Sequence, residues 1–497
     1  MTSSAPEAPA RAPWPSAAEQ VRWLAAIGVL AAVWAPRLSQ SFYSVDDYIL
    51  LQFPVRVEQF FQQGRFGQAA LWWGMTALGL SPPHAVTALA ALSVALLGLS
   101  GVLLLRLWRM EGSNWLLVPL CVLPFAHPYA AEIWSFRIAP VFYAIALVSA
   151  LGALTLARER GLGPAPVGLV VFSLSVYQLG FNPAVVVIGM GLLLDILRGR
   201  GSADELKDAV RGWWGPLAAL LGGTVAYLVL NAVLQRLAHT APDARGAFLP
   251  LGDLLVRARE VRALLAQVFF TDRHLSTQAL SSLLLALLGL AVLAGLRRAA
   301  ANRSAWQLLL VPALLAGCAL SVVGLMLALK VWWPMPRTLT GIGFFWAGVF
   351  ALLDANGSAA ARRVVAATAC LVVVCFAGLC ARVTSDQARL NAVDRATASR
   401  VVGRFEASAA FPQLRTALFV NGAVTYQILD TQVGDLNLSA LGCTWSQAEI
   451  LGELLGRPLP NPSDDERARG TAFCTKAAKW PAEGSTAILD GVGVVCF

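Results

Sequence analysis

Charge is scarce in this sequence. Asp, Glu, Lys and Arg make up only 13% of the 497 residues, whereas 57% are hydrophobic, and the mean hydropathy is +0.64. A water-soluble fold cannot bury that much apolar surface, so the composition excludes an ordinary soluble protein. It predicts a polytopic α-helical membrane protein, because each helix that crosses a bilayer needs roughly 20 apolar residues.

Motifs for cofactors and nucleotides are also lacking. No Cys–His spacing is typical of a zinc or redox site, and no Gly-rich loop or Rossmann pattern predicts a nucleotide. We expect no cofactor and no metal site, although adjacent carboxylates could hold a divalent cation together with further ligands. The net charge of +9 does not indicate nucleic acid, since basic residues at cytoplasmic helix ends explain it.

About eleven apolar segments have the length of membrane spans. The turns that would face the cytoplasm all carry Arg or Lys, as the positive-inside rule requires of a protein in a bacterial inner membrane. The rule predicts a cytoplasmic N-terminus, disordered over residues 1–20, a membrane domain over 21–382 and a periplasmic tail over 383–497. The spans are 21–38, 84–107, 114–128, 138–157, 164–180, 183–198, 213–236, 277–296, 305–329, 338–354 and 363–382.

The tail has no run long enough to span a membrane. Strand patterns cover Ala417–Val420 and Ala487–Val495, and helical patterns cover Asp386–Phe405 and Trp445–Leu455, so a small α/β domain is predicted. A periplasmic location would permit one disulfide and leave one thiol over. The three cysteines of the tail are Cys443, Cys474 and Cys496.

Two long external loops, 39–83 and 237–276, stand out from the short cytoplasmic turns. Each should contain a helix at the membrane interface, one around Ile49–Phe61 and one around Leu251–Phe270. The second loop is rich in arginine, against the charge rule, and ends in Arg273 and His274. These side chains could hold an anionic ligand, or they could anchor the loop to phosphates of membrane lipid.

The first loop carries two adjacent carboxylates, Asp46 and Asp47. A carboxylate at a membrane face can act as a general base that takes a proton from an attacking hydroxyl. Adjacent side chains point apart, so one aspartate would act as the base and the other would position a neighbouring group. The alternative is that the pair caps a helix or lies in a solvated loop.

Polar side chains at the ends of other spans are further candidates for ligand binding. Arg65 lies between two glycines, and a tight turn there would direct it toward a ligand or a lipid headgroup. Tyr177 and Gln178 follow a span and either bind a sugar or satisfy a broken helix. Glu132 and Arg137 lie in one external turn and are expected to pair with each other.

Lys330 and Arg337 flank the external turn KVWWPMPR. A phosphate can be held by one guanidinium and one ammonium together, while tryptophans stack on a sugar or lie at the headgroup level. Simple anchoring at the interface is the alternative explanation for this turn.

Several short motifs together resemble the GT-C glycosyltransferases, and within that class the bacterial serotype-converting O-antigen glucosyltransferases. The resemblance covers most of the chain and rests on Asp46-Asp47, Gly64-Arg65-Phe66, Ser175-Val176-Tyr177-Gln178, Pro336-Arg337, Asp435-Leu436-Asn437-Leu438-Ser439-Ala440 and Trp480-Pro481.

This resemblance implies an enzyme that moves a hexose, glucose by analogy, from a polyprenyl-phosphate sugar to a glycan or lipid-linked acceptor in the periplasm. It also implies that an acidic residue of the first external loop is the catalytic base. Two other functions remain open at this point. A lipid-linked sugar flippase would place its charges in mid-membrane, and a non-catalytic assembly protein would use the tail as a binding module.

Overall fold

Helices dominate the computed structural model, which describes residues 15–40, 42–53, 55, 57–272, 274–422 and 429–497. The first thirteen are α1 Ala17–Val33, α2 Ala35–Ser39, α3 Asp47–Gln52, α4 Val57–Gln62, α5 Phe66–Ala77, α6 Val86–Leu107, α7 Asn114–Ala126, α8 Ala131–Ser135, α9 Ala139–Arg160, α10 Pro164–Val176, α11 Phe181–Arg198, α12 Ala203–Leu237 and α13 Leu254–Ala266. The remainder are α14 Gln278–Ala301, α15 Ala305–Ser321, α16 Gly341–Asn356, α17 Ala359–Glu406, α18 Gln447–Leu455 and α19 Asp464–Cys474.

Seven helices among the described residues are long and apolar enough to cross a membrane: α6, α9, α11, α12, α14, α16 and α17. Helices α7 and α8 add an eighth span if this pair, bent by 44°, crosses as one unit. The segments expected at 21–38, 164–180 and 305–329 form helices of 17, 13 and 17 residues. These helices are shorter than the roughly 20 residues that a span requires, so the count of eleven remains a prediction.

The start of α1 corrects the disorder expected over residues 1–20. Ser16 accepts a hydrogen bond from the backbone of Glu19, and the Glu19 side chain bonds back to the backbone of Ser16. This capping box satisfies two amide groups that a helix start would leave open. The helix therefore begins at Ala17, and residues 1–14 lie outside the described part of the chain.

The single interfacial helix expected around Ile49–Phe61 is wrong. Two short helices, α3 and α4, cover this stretch, and α5 follows them. Phe53 ends α3 in an extended conformation, which is the conformation that a following proline imposes. The helix expected around Leu251–Phe270 is confirmed as α13, which continues as a π-helical turn to Thr271.

Helix α17 connects the apolar core to the tail without a break. Its 48 residues give a length of about 72 Å, more than twice the roughly 30 Å of a hydrocarbon core. The expected span 363–382 and the expected helix Asp386–Phe405 are thus two parts of one element. The tail is consequently attached to the core by a single continuous helix.

The tail forms a three-stranded sheet in the order β1-β3-β2, from β1 Thr416–Val420, β2 Thr486–Leu489 and β3 Val492–Cys496. Strand β1 pairs parallel with β3, and β2 pairs antiparallel with β3. The single strand expected over Ala487–Val495 is therefore a hairpin, which turns where Asp490 and Gly491 have positive φ. Helix α19 was not expected from the sequence pattern.

One disulfide joins Cys474 to Cys496, with 5.3 Å between their Cα atoms. Cys443 stays as a buried free thiol, so the expected bridge with one thiol left over is confirmed. The tail also packs directly on the first long loop, because Tyr48 of α3 lies in one apolar cluster with Phe405, Phe419 and Ile450. This packing brings the tail beside Asp46.

Candidate active site

Asp46 lies immediately before α3 and is exposed to solvent. The indole Nε1–H of Trp445 donates to its Oδ1 over 2.9 Å. Desolvation nevertheless raises the pKa of the Asp46 carboxyl, and the hydrogen bond from Trp445 opposes part of this rise. Solvent therefore reaches the Asp46 side chain while the surrounding protein still disfavours its charged form.

Asp47 has the opposite environment and is only 1% exposed. Its Oδ2 accepts from the backbone N–H and the hydroxyl of Ser44 over 2.7 and 2.8 Å, and its Oδ1 accepts from the backbone N–H of Arg137 over 3.1 Å. Burial raises the pKa of this carboxyl to about 6, and the charge of Arg37 opposes the rise. Oδ1 of Asp47 therefore joins the first loop to the residues just before α9, while Oδ2 fixes the turn of the loop at Ser44.

Arg337 is held between two carboxylates. Its Nη1 and backbone N–H donate to Glu132, the backbone contact over 2.7 Å, and its Nη2 donates to Asp435 over 2.8 Å. Glu132 is fully buried, whereas the Asp435 side chain is 29% exposed. The pairing of Glu132 with Arg137 that we expected is wrong, because Glu132 pairs with Arg337 instead.

Arg137 instead donates to the carbonyl of Pro83 over 3.1 and 3.3 Å, and its guanidinium lies over the ring of Tyr43. Helix α8 ends at Ser135, and Phe136 is extended. The chain changes direction at this break, so Glu132 and Arg137 contact different partners although they are only five residues apart.

Arg65, Tyr177 and Gln178 come together, as their positions at the ends of helices suggested. The guanidinium of Arg65 lies over the Tyr177 ring at 4.8 Å, and its Nε is 3.4 Å from Gln178 Oε1. Gly64 makes the turn possible, since its φ is +71° and an added Cβ would lie 2.4 Å from the Tyr227 hydroxyl. Only glycine adopts this backbone without strain.

Electrostatic interactions join these pieces into one cluster. The charges of Arg337 and Arg65 lower the pKa of Asp46, and that of Asp435 raises it. Tyr177 in turn lies within electrostatic reach of Arg337. We call the six residues the Asp46 cluster: Asp46, Arg65, Tyr177, Arg337, Asp435 and Trp445.

The chemistry available to the Asp46 cluster is proton transfer beside bound anionic groups. Asp46 is an accessible carboxylate, and two guanidiniums lie within electrostatic reach of it. Across the described ranges, no three His, Cys, Asp or Glu side chains converge as ligands for a metal ion. The cluster thus offers a base and cations without a built metal site.

Three of the predicted binding residues are not joined to the Asp46 cluster by a described contact. The ring of His274 bonds to the carbonyl of Asp430 over 2.8 Å. Lys330 is exposed, and its backbone N–H donates to Ala247. Arg273 lies outside the described residues. The nearby Arg257 has a structural role, since it is buried and donates to Glu260 and to the carbonyls of Met326 and Lys330.

Trp445 is the cluster residue that the sequence did not suggest. It lies 399 positions from Asp46 in the chain, in a stretch that we expected to be simply helical. Asp435 appeared only within a motif of the resemblance, without a role. The one local signal was a tryptophan between two polar residues, Thr444 and Ser446.

Helices that can cross a bilayer, with an accessible carboxylate and two guanidiniums near their ends, define an integral membrane protein whose site suits group transfer. Residues 36–351, well over half of the chain, match the family model described as glucosyl transferase GtrII. The chain belongs to this family and is therefore a glycosyltransferase, as the resemblance implied. The family indicates a glucosyltransferase of O-antigen modification.

No curated protein and no solved structure matches the chain significantly. The family match includes four members of the Asp46 cluster, from Asp46 to Arg337, together with Glu132. Asp435 and Trp445 lie beyond the matched residues, in the tail. The matched region thus supplies every cation of the cluster, and the tail adds a second carboxylate and an indole.

Proposed function

We propose that this protein transfers glucose from a polyprenyl-phosphate donor to a cell-surface glycan or a lipid-linked acceptor. The reaction would take place on the periplasmic side of the inner membrane, with the N-terminus in the cytoplasm and the tail in the periplasm. The observation that carries the proposal is the accessible carboxylate of Asp46 beside the guanidiniums of Arg65 and Arg337. Family membership supplies the reaction class.

Asp46 is the proposed general base. An acceptor hydroxyl attacks the anomeric carbon, a new C–O bond forms, and the bond from that carbon to the phosphate oxygen breaks. The hydroxyl proton passes to Asp46 and the bonding electrons leave with the phosphate. The raised pKa of Asp46 makes its ionised form a stronger proton acceptor, and a single displacement inverts the anomeric centre.

Arg337 and Arg65 are proposed to stabilise the leaving phosphate. The phosphodiester of the donor becomes a monoester, so negative charge grows on it and favours nearby guanidiniums. A guanidinium has five N–H donors, and the contacts of Arg337 with described side chains use Nη1 and Nη2. Its remaining donors can meet a phosphate while Glu132 keeps the side chain in place.

The other predicted residues take supporting roles in this proposal. Asp47 positions the loop that carries Asp46, because its oxygens bind Ser44 and Arg137. Gln178 orients Arg65 and also donates to the carbonyl of Gln63 over 2.7 Å. Arg273, His274 and Lys330 stay predictions as contacts to the donor phosphate or to membrane lipid.

The test uses purified protein in lipid nanodiscs with a synthetic polyprenyl-phosphate glucose and an O-antigen acceptor. Asp46→Asn should reduce kcat by about 10²–10⁴-fold, the usual contribution of a general base. Glu58→Gln is the matched control, because Glu58 is an exposed carboxylate on the same loop and should leave kcat unchanged. Full activity in the Asp46→Asn variant would refute the assignment of the base.

The same assay separates an enzyme from a flippase. A transferase forms a covalent glucosylated acceptor in nanodiscs, where no second compartment exists. Lipid-linked sugar that only crosses the bilayer of sealed vesicles, with no product in nanodiscs, would contradict the proposal. Alkaline phosphatase fused to the C-terminus tests the topology. The phosphatase folds into its active form only in the oxidising periplasm, so an active fusion indicates a periplasmic tail.

A further inference from the structure

Trp445 exposes an aromatic surface beside the proposed base. Within residues 383–422 and 429–497, only Trp445 and Leu454 among large apolar side chains are clearly exposed, at 46% and 39%. An exposed tryptophan is costly in water, because its apolar area stabilises the fold only when it is buried. Of these two residues, Trp445 is the one that contacts Asp46, through the hydrogen bond from its Nε1.

The turn that carries Trp445 is rigid. Thr444 and Trp445 form its exposed tip, while Cys443 and Ser446 on either side are buried. The Ser446 hydroxyl donates to the carbonyl of Ala440 over 2.8 Å. A residue at such a tip would ordinarily be mobile, so this bond restrains the turn that places the exposed ring beside Asp46.

Gln447 secures the same turn from beneath. Its Nε2 donates to the carbonyl of Leu441 over 2.9 Å, and its Oε1 accepts from the backbone N–H of Phe419 in β1 over 3.2 Å. The sheet of the tail therefore sets the position of the ring. A pre-positioned aromatic side chain loses little conformational entropy when a ligand binds to it.

The geometry of the hydrogen bond directs the indole edge toward Asp46. Because Nε1 lies on that edge and donates to Oδ1 over 2.9 Å, a sugar stacked on the ring would present its hydroxyls at the level of the carboxylate. The face of an indole ring is electron-rich and binds the C–H face of a pyranose better than it binds a phosphate. The cations of the cluster, by contrast, all come from the membrane helices and their loops.

We propose that Trp445 is the binding platform for the acceptor sugar. The ring stacks against the apolar face of one acceptor hexopyranose and presents a hydroxyl of that sugar to Asp46. The donor phosphate then lies on the side of Arg65 and Arg337. This inference rests on the proposed function and assigns recognition of the acceptor to the tail.

Two substitutions separate the ring from its N–H group. Trp445→Ala removes both, and we expect it to raise the KM for the acceptor glycan about tenfold, the effect of about 1.4 kcal/mol. Trp445→Phe keeps an aromatic face and should raise this KM by less than about threefold. Leu454→Ala is the matched control, because Leu454 is an exposed apolar residue of the same domain. This variant should leave the acceptor KM unchanged.

Donor hydrolysis in the absence of acceptor provides the second readout. Water replaces the acceptor in this reaction and requires no stacking platform, so the donor KM should be unchanged in Trp445→Ala. Both Trp445→Ala and Trp445→Phe lose the N–H that bonds to Asp46, so any change in the hydrolysis rate should be equal in the two variants. Should that variant fail to fold, Trp445→Leu keeps an apolar side chain without an aromatic face. It should show the same increase in acceptor KM.

The possible failures are distinguishable. Wild-type protein that forms no glucosylated product would overturn the proposed function together with this inference. Normal transfer with an unchanged acceptor KM in Trp445→Ala would overturn only the platform. Equal losses of kcat in the Ala and Phe variants, with acceptor KM unchanged in both, would show that Trp445 acts solely through its N–H on Asp46 and would also overturn the platform.

Discussion

Replacing Arg337 by methionine should be strongly destabilising because of the carboxylate that it leaves behind. Glu132 is fully buried and accepts both the guanidinium and the backbone N–H of Arg337. Methionine retains only the backbone donor, so the carboxylate loses its counter-charge in a site without water access. Breaking a buried ion pair by removing one partner costs about 3–5 kcal/mol, and we expect Arg337→Met to fall in this range.

A second substitution tests whether the orphaned charge is the cause. Glu132→Gln removes the charge and keeps an oxygen that can accept the backbone N–H of residue 337. The double variant should therefore be more stable than Arg337→Met alone, with a coupling energy of about 2–3 kcal/mol. Asp435→Asn is the control, because this partner is partly exposed and its loss should cost less than about 1 kcal/mol.

The measurement is equilibrium unfolding in mixed micelles by a denaturing detergent, followed by circular dichroism and repeated as refolding. Additive effects in the double variant, or a cost below about 1 kcal/mol for Arg337→Met, would refute the reasoning. Either result would mean that Glu132 is hydrated or protonated in the native protein and does not depend on Arg337.

Three further predictions follow from the loops around the site. Because burial raises the pKa of Asp47 from 3.8 to about 6, native protein binds this proton more tightly than unfolded protein does. The stability that the proton confers is complete below pH 3.8 and is lost as the pH rises to about 6. The denaturation midpoint of the wild type should therefore fall over this pH range, and Asp47→Asn should make the fall smaller. Gly64→Ala should destabilise the fold by at least about 1–2 kcal/mol, measured by the same equilibrium unfolding. The new Cβ would meet the Tyr227 hydroxyl, so adding Tyr227→Phe to this variant should restore part of the lost stability. Transfer should continue in EDTA, assayed as product formation, because the guanidiniums of Arg65 and Arg337 are proposed to stabilise the leaving phosphate; activity restored only by a divalent cation would contradict this.

The sequence was sufficient to predict the helical membrane class and part of the site, but not the number of spans. Positive charge in alternate turns indicates which ends of the helices lie at the same level, so Arg65, Tyr177 and Arg337 were expected on one side. The structure brings these three together with Asp46. The α/β character of the tail was also predictable, because its apolar runs are too short to cross a bilayer and lie between more polar, helical stretches.

Lateral neighbours could not be predicted in the same way. A helix that is apolar on every face gives no indication of which neighbour it packs against, so the partner of Glu132 was assigned to Arg137 by proximity in the chain. Local sequence patterns predict neither the break after α8 nor a contact between residues 205 positions apart, such as Glu132 and Arg337. The contact of Trp445 with Asp46 depends in addition on how the whole tail docks.

The docking of the tail argues against an independent binding module. Asp394 of α17 is buried and accepts from the Ser439 hydroxyl and the Ala440 backbone over 2.6 and 2.8 Å. These bonds secure the segment that begins with Asp435 to the helix that also crosses the core. Because α17 is continuous, the positions of Asp435 and Trp445 relative to Asp46 depend on how the tail packs on this helix and on the first long loop. Removing the tail would therefore take two members from the Asp46 cluster and expose Tyr48, so the membrane domain alone would hold an incomplete site.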